Sequence, residues 1–314
     1  MSDLCLGSMY FGTRVDSETS MAILDRFLEA GGNFIDTANT YAFWEPGANG
    51  EESETLIGHW LKSRRAHERV VISTKAGARP SGPGEWPANA EGLSGPVLRD
   101  QLKASLQRLG VDRIGIYYAH IEDRSTPVEE TAQAFARLVE EGLMAVPGCS
   151  NYPAWRIAES REAAQRHGWP DFRCVQQMHT YLQPLGGGFF PGGGQRYTTD
   201  ELLDYGRAHP EFTLLAYSPL LSGAYTREER TVPDFYRHPG LPQRMRTLME
   251  VAAELGATPN QVVLAWMMQS EPAWLPVLGV SSVAQLDECL GALDLVLSED
   301  TRIQLDQAGI TSAA

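Results

Sequence analysis

Asn33-Phe34-Ile35-Asp36-Thr37-Ala38-Asn39-Thr40-Tyr41 begins as a short apolar strand, turns polar at Asp36 and reaches a tyrosine soon after. Two later runs have the same form. Val70-Val71-Ile72-Ser73-Thr74-Lys75 ends on a lysine, and Ile114-Gly115-Ile116-Tyr117-Tyr118-Ala119-His120 ends on a histidine. In an α/β barrel the side chains that do chemistry project from the C-terminal ends of several parallel strands. Asp36, Tyr41, Lys75 and His120 are therefore expected in one cluster at the mouth of a (β/α)8 TIM barrel.

The rest of the chain supports that architecture. Strand-like runs begin near Leu4, Phe34, Val70, Ile114, Ala145, Cys174, Thr213 and Leu275. Amphipathic stretches near 17–30, 51–62, 94–109, 127–141, 154–167, 199–208, 241–255, 259–270 and 283–292 alternate with them, the pattern of parallel strands joined by crossover helices. Ser17 with Glu18 is expected to open the first helix, and Thr258-Pro259 places a cap before a first-turn proline. At 314 residues the chain is read as one barrel domain, since such barrels run to about 250 residues or more. Three long segments, 42–50, 76–92 and 178–198, follow strands and belong on the catalytic face. Loops of that length in a compact domain are usually functional. The third holds Gly186-Gly187-Gly188-Phe189-Phe190-Pro191-Gly192-Gly193-Gly194, expected as a substrate-side lid. Phe43, Trp44, Trp86, Phe189 and Phe190 in these loops, with Tyr10 after the first strand, are candidates to line a pocket for a partly apolar substrate.

A free tyrosine holds its proton to about pH 10, so a tyrosine serving as an acid near neutrality calls for nearby positive charge. Lys75 is placed to supply it. Asp36 would keep that ammonium charged, and His120 would polarise a substrate oxygen. Such a set is a general acid with an electrostatic clamp for an oxygen that gains negative charge, as carbonyl reduction requires.

These motifs resemble the aldo-keto reductase family, from about Leu4 to Leu297. The resemblance rests on Asp36 to Tyr41, Ser73-Thr74-Lys75 and His120, together with Thr126 to Thr131, Gly148-Cys149-Ser150-Asn151, Tyr217-Ser218-Pro219-Leu220 and Gly279 through Leu290. It implies Tyr41 as general acid, tuned by Lys75 and Asp36, with His120 orienting the carbonyl. It also implies a nicotinamide dinucleotide, usually NADPH, bound across the barrel mouth. Ser150, Asn151 and Gln176 would hold the carboxamide, and Tyr217 would stack on the ring. Ser218, Leu220 and Ser222 would border the pyrophosphate, and Gly279, Ser281, Gln285 and Glu288 the adenosine end.

Three departures from the family pattern stand out. Ser281 occupies the position of a basic residue that grips the 2′-phosphate, and Cys289 that of an asparagine. Losing the cation weakens the hold on a dianion, so NADPH is expected only narrowly ahead of NADH. The family's N-terminal β-hairpin is missing before Leu4, which would leave the barrel bottom more exposed. Pro147 puts a residue without an N–H into the fifth strand, and local distortion is expected there.

The net charge of −14 and the lack of a basic stripe exclude nucleic acid and anionic membranes as expected partners. Cys5, Cys149, Cys174 and Cys289 have no metal or CxxC spacing and the histidines no HxH or HExxH spacing. Reduced thiols, no signal sequence and no apolar run of about 18 residues point to a cytoplasmic enzyme with a small-molecule carbonyl substrate and no metal. Two other classes remain: a Schiff-base aldolase using Lys75, and a cofactor-binding regulatory protein with little turnover. His179, just past the sixth strand, is placed either against substrate or in packing.

Overall fold

The computed structural model describes residues 1–184, 193–227 and 229–310. Eight parallel strands close into a barrel in chain order: β1 (Cys5–Gly7), β2 (Phe34–Asp36), β3 (Val71–Ala76), β4 (Ile114–Ala119), β5 (Met144–Ser150), β6 (Cys174–Met178), β7 (Thr213–Tyr217) and β8 (Trp274–Gly279). The ring is completed where Gly7 of β1 pairs with Gly279 of β8 on one side and with Asp36 of β2 on the other. Around the barrel lie α1 (Ser17–Glu29), α2 (Glu52–Arg64), α3 (Gly95–Leu109), α4 (Val128–Glu140), α5 (Ala154–Arg166), α6 (Asp200–Ala208), α7 (Leu241–Leu255), α8 (Pro259–Gln269), α9 (Val283–Leu290) and α10 (Glu299–Gln307). The last of these was not read from the sequence. Its stretch Glu-Asp-Thr-Arg-Ile-Gln-Leu-Asp-Gln carries two apolar residues, of which Leu305 alone is buried, too few to show a helical period.

Local signals explain most boundaries. Thr258 caps α8 with a full capping box: its hydroxyl accepts from the Gln261 N–H while the Gln261 side chain accepts from the Thr258 N–H. Helix α1 is capped by Asp16 rather than Ser17, because the aspartate Oδ1 accepts from the Thr19 N–H at 2.8 Å. Pro147 does not break β5, which stays in register with β4 from Met144 to Cys149. Its effect falls on the other edge, where β5 pairs with β6 only at Cys149 and Ser150.

Among the described residues no strand precedes β1. The inner core beneath the barrel mouth is Cys5, Phe34, Ile116, Tyr118, Cys174, Leu215 and Val277, all buried. Phe34 is fully covered, while Val71, Val146 and Leu275 are only half-buried, so the bottom layer is exposed in part. The larger outer core fills the space between barrel and helices. All four cysteines are buried and free. No described helix is long and apolar enough to cross a membrane. Of the expected lid from Gly186 to Gly194, the part through Gly192, with Phe189 and Phe190, lies outside the described residues.

His179 belongs to packing, not to the mouth of the barrel. Its ring stacks on Trp274 at 4.3 Å and on Trp266 at 5.7 Å. Burial, aided by the Arg244 guanidinium, pushes its pKa down to about 3. An unfolded histidine takes up its proton near pH 6.5. Between those values the unfolded chain binds more protons than the folded one, so stability rises with pH across that range and is lost as pH falls. The urea midpoint is expected to drop as pH is lowered from about 6.5 toward 3, and to drop less steeply in His179→Phe. Equal slopes in the two proteins would count against the assignment.

Candidate active site

The alternation of a strand places the proton-handling groups. On β3, Ser73 and Lys75 point inward to Asp36 at the end of β2, while Thr74 between them points out to Glu54 of α2. Asp36 Oδ1 accepts from Ser73 Oγ at 2.7 Å and from Gln176 Nε2 at 3.0 Å. Its Oδ2 accepts from Lys75 Nζ at 2.5 Å and from the Tyr41 hydroxyl at 2.9 Å. An ionised carboxylate has about four lone-pair sites, so Asp36 is fully used and fixed. Lys75 donates to Asp36, to the Thr37 carbonyl at 2.8 Å and to Tyr41 Oη at 2.5 Å. Three acceptors call for the three protons of an ammonium. His120 follows β4 directly, with its ring edge-on to Tyr41 at 5.9 Å between centroids.

The electrostatics differ from the sequence expectation in one respect. Burial, and then the Asp36 charge, push the Tyr41 hydroxyl well above its ordinary value, and Lys75 does not reverse this. The tyrosine is thus firmly protonated in the free protein. Burial also pulls Lys75 down, opposed by Asp36. His120 is held well below its ordinary value, first by burial and then by Lys75, and is neutral. Its buried Nδ1 has no hydrogen-bond partner. An orphaned N–H is costlier and rarer than an unused lone pair, which assigns the proton to Nε2 and makes that atom a donor.

A cavity of about 570 Å³ opens over this cluster. Asp36, Tyr41 and His120 form part of its wall, whereas Lys75 lies behind them, with 1% of its side chain exposed. Among the described residues, every expected binding residue lines the same cavity: Tyr10, Phe43, Trp44, Trp86, Ser150, Asn151, Gln176, Tyr217, Ser218, Leu220, Ser222, Gly279, Ser281, Gln285 and Glu288. At one end Trp44 is 48% exposed yet packs edge-on with Tyr10 at 6.4 Å and Phe43 at 5.1 Å. Trp86 is held by its indole N–H on the Ala78 carbonyl at 2.8 Å. Such an exposed aromatic group at a cavity mouth is a place for an apolar ligand surface rather than core.

The other end is lined by more polar residues. Ser218, Leu221 and Ser222 all have positive φ, at 53°, 48° and 56°. Three such residues close together are strain of the kind that collects at ligand sites. Ser281 gives both its N–H and its hydroxyl to Gln285 Oε1. Asn260, not foreseen in the sequence, donates to Glu288 at 3.1 Å and leaves its buried Oδ1 without a partner. Arg227 and Arg230 in the loop after β7 were also missed. Both line this end of the cavity, and neither pairs with a described carboxylate. Two arginines three positions apart in a chain of net charge −14 were the available signal.

Asn151 has φ +59° and is buried. Its Nδ2 donates to the His120 carbonyl at 3.0 Å and to Ser150 Oγ at 3.1 Å. Its Oδ1 accepts from the Tyr217 hydroxyl at 2.8 Å and the Arg196 N–H at 3.0 Å. Gln176 keeps Oε1 for other partners, since its Nε2 is the group bonded to Asp36.

Known proteins share this arrangement of sequence. A profile of the aldo/keto reductase family matches residues 3–310. The chain is 33% identical to norsolorinic acid reductase stcV of Emericella nidulans, over 98% of this chain and 78% of that one. It is 30% identical to aldo-keto reductase family 7 member A3 of Homo sapiens, over 92% and 88% of the two chains. Uncharacterized oxidoreductase YrpG of Bacillus subtilis is 29% identical, over 96% and 90%.

Proposed function

Because this chain belongs to the aldo/keto reductase family, a family of oxidoreductases, we propose that it reduces a small-molecule aldehyde or ketone to the alcohol, with hydride from NADPH and a proton from Tyr41. The observation that carries this is the Tyr41 hydroxyl, held by Lys75 at 2.5 Å and Asp36 at 2.9 Å on a cavity wall shared with His120.

The residues present fit a nicotinamide dinucleotide. Ser150 offers a hydroxyl proton and Gln176 a carbonyl oxygen, the complement of a carboxamide, and Tyr217 offers an aromatic face. The strained turn at Ser218 to Ser222 would border the pyrophosphate, and Gly279, Ser281, Gln285 and Glu288, which line the same cavity, would border the adenosine. When bound, the nicotinamide supplies the hydride. The protein supplies the rest. His120 Nε2–H and the Tyr41 hydroxyl stabilise negative charge growing on the carbonyl oxygen. Tyr41 has one proton, which rests on Asp36 in the free protein and for which a substrate oxygen competes. As that proton leaves, the Lys75 ammonium stabilises the phenolate. The four free thiols accord with a reducing, cytoplasmic setting.

A Schiff base on Lys75 is disfavoured by its position behind the wall with all three protons engaged. The discriminating experiment is a titration with NADPH and NADH by tryptophan quenching, followed by a carbonyl panel. Binding with oxidation of the nucleotide supports the reductase. Binding with no oxidation across the panel favours a regulatory protein, and borohydride trapping on Lys75 an aldolase.

Arg227 and Arg230 supply the positive charge that Ser281 lacks, which favours NADPH. Removing both, as Arg227→Ala/Arg230→Ala, is expected to weaken NADPH binding about tenfold or more, the scale of a charge-assisted hydrogen bond, and to leave NADH binding nearly unchanged. Parallel loss for both nucleotides would instead place these arginines on the shared pyrophosphate.

A further inference from the structure

Strand register sets three residues in one row across the barrel. Lys75 of β3 pairs with Tyr118 of β4, and Tyr118 pairs with Gly148 of β5, so the two side chains leave the sheet on the same face. The Tyr118 ring lies across Gly148. A Cβ at that glycine would sit 2.6 Å from a ring carbon and 2.9 Å from Cys174 Sγ of β6, so the ring has its place because the position carries no side chain. Tyr118 is fully buried, and the centre of its ring is 5.7 Å from Lys75 Nζ, within reach of a cation–π interaction. Tyr41 offers a second ring at 4.6 Å. The Tyr118 hydroxyl, by contrast, faces the Cys174 thiol without a hydrogen bond of normal geometry. The ring, not the hydroxyl, is what this position uses.

We propose that Tyr118 is a positioning residue for Tyr41 that acts through Lys75: the face of its ring keeps the buried lysine charged and confined beside the tyrosine hydroxyl. The three protons of Lys75 are already given to Asp36, the Thr37 carbonyl and Tyr41. An aromatic face attracts a cation through its quadrupole and needs none of them. Burial pulls Lys75 below its ordinary value with Asp36 opposing, so each further attraction bears on its charge. The titratable groups around it are Cys5 of β1, Asp36 of β2, Tyr41 beyond β2, Glu54 of α2, and Tyr118 and His120 of β4 and its end. Asp36 and Glu54 are the carboxylates among them. Burial holds the protons of Cys5, Tyr41 and Tyr118 well past their ordinary ranges and keeps His120 neutral. Lys75 is therefore the first of the cluster to change charge as pH rises above neutrality. The bearing of Tyr118 on turnover rests on the carbonyl-reduction reading above.

The chain has three lysines, Lys62, Lys75 and Lys103, and the other two are exposed on helices. Lysine labelled with carbon-13 at Cε therefore reports the Lys75 titration by NMR in the free protein. Wild type and Tyr118→Phe, which keeps the ring, are expected to titrate together. In Tyr118→Leu the Lys75 step should fall by about one pH unit, because losing an attraction to the cation favours its neutral form, on the scale of a desolvated cation–π contact. With a carbonyl that the wild type reduces, the alkaline limb of kcat should move down with it in Tyr118→Leu and stay in place in Tyr118→Phe, nucleotide affinity being kept in both. A Lys75 step that stays or rises in Tyr118→Leu, or that falls equally in Tyr118→Phe, overturns the proposal. So does an alkaline limb that does not follow the Lys75 titration. Should Tyr118→Leu not fold, Tyr118→Met is read in its place by the same outcomes. A wild type that oxidises neither NADPH nor NADH removes the reductase reading, while the Lys75 titration still decides whether Tyr118 holds the ammonium.

Discussion

Tyr41→Phe is expected to lower kcat for carbonyl reduction by about a hundred- to ten-thousandfold, the range that a positioned acid contributes, with little change in nucleotide affinity. The variant keeps the ring that packs edge-on to His120 and deletes one oxygen. Lys75 retains Asp36 and the Thr37 carbonyl as acceptors, so the cluster should persist. The pH dependence follows from the same burial. Tyr41 must be protonated to act, and burial with Asp36 beside it holds its proton well past the ordinary phenol range. Reduction should therefore show no alkaline loss from this group below about pH 10. On the acid side, His120 titrates well below its usual value, so no loss is expected from it near pH 6.5. A Tyr41→Phe protein that keeps more than about a tenth of the wild-type kcat would be too active for the role of an acid of this kind.

The strands that carry the proposed site were legible because each ends in a polar residue after an apolar run, and parallel strands buried on both faces leave few other places for such residues. That pattern put Asp36, Lys75 and His120 at one rim. It did not give the direction of the Tyr41 shift. Sequence shows that Lys75 has an opposite charge to Asp36, but not how far the Tyr41 hydroxyl is withdrawn from water, a cost to the phenolate that outweighs one neighbouring ammonium. Helix α10 was lost for want of a second buried apolar residue. Arg227, Arg230 and Asn260 reach the cavity from the loop after β7 and the start of α8, a meeting set by chain path rather than by any period. Asn151 is the extreme case. Three of its side-chain partners are 31, 45 and 66 residues away, so its saturation is a property of the closed barrel and has no local trace.

Arg108→Met is expected to destabilise the fold by about 3–5 kcal/mol, the cost of breaking a buried ion pair from one side. Glu54 of α2 is fully buried, with Oε2 accepting from Arg108 Nε at 2.6 Å and Oε1 from the Thr74 hydroxyl at 2.5 Å. Helix α3 brings the arginine that close because Gly58 of α2 has no side chain. A Cβ there would lie 2.2 Å from the Arg108 carbonyl oxygen. Without the guanidinium, the carboxylate keeps one hydroxyl partner in an interior that solvates charge poorly. With an unfolding entropy of about 2.1 cal/mol/K per residue over 314 residues, one degree of Tm corresponds to about 0.7 kcal/mol. The expected fall in Tm is then about 4–7 °C, read by circular dichroism. Removing both charges, as Glu54→Leu/Arg108→Met, should recover most of it, because an apolar pair of similar volume often replaces a buried ion pair at little cost. The turnover rate should change far less than Tm in either variant, since Thr74 faces Glu54 and away from Lys75 and Asp36. A double variant no more stable than Arg108→Met would mean that the helix contact at Gly58, and not the stranded carboxylate, sets the loss.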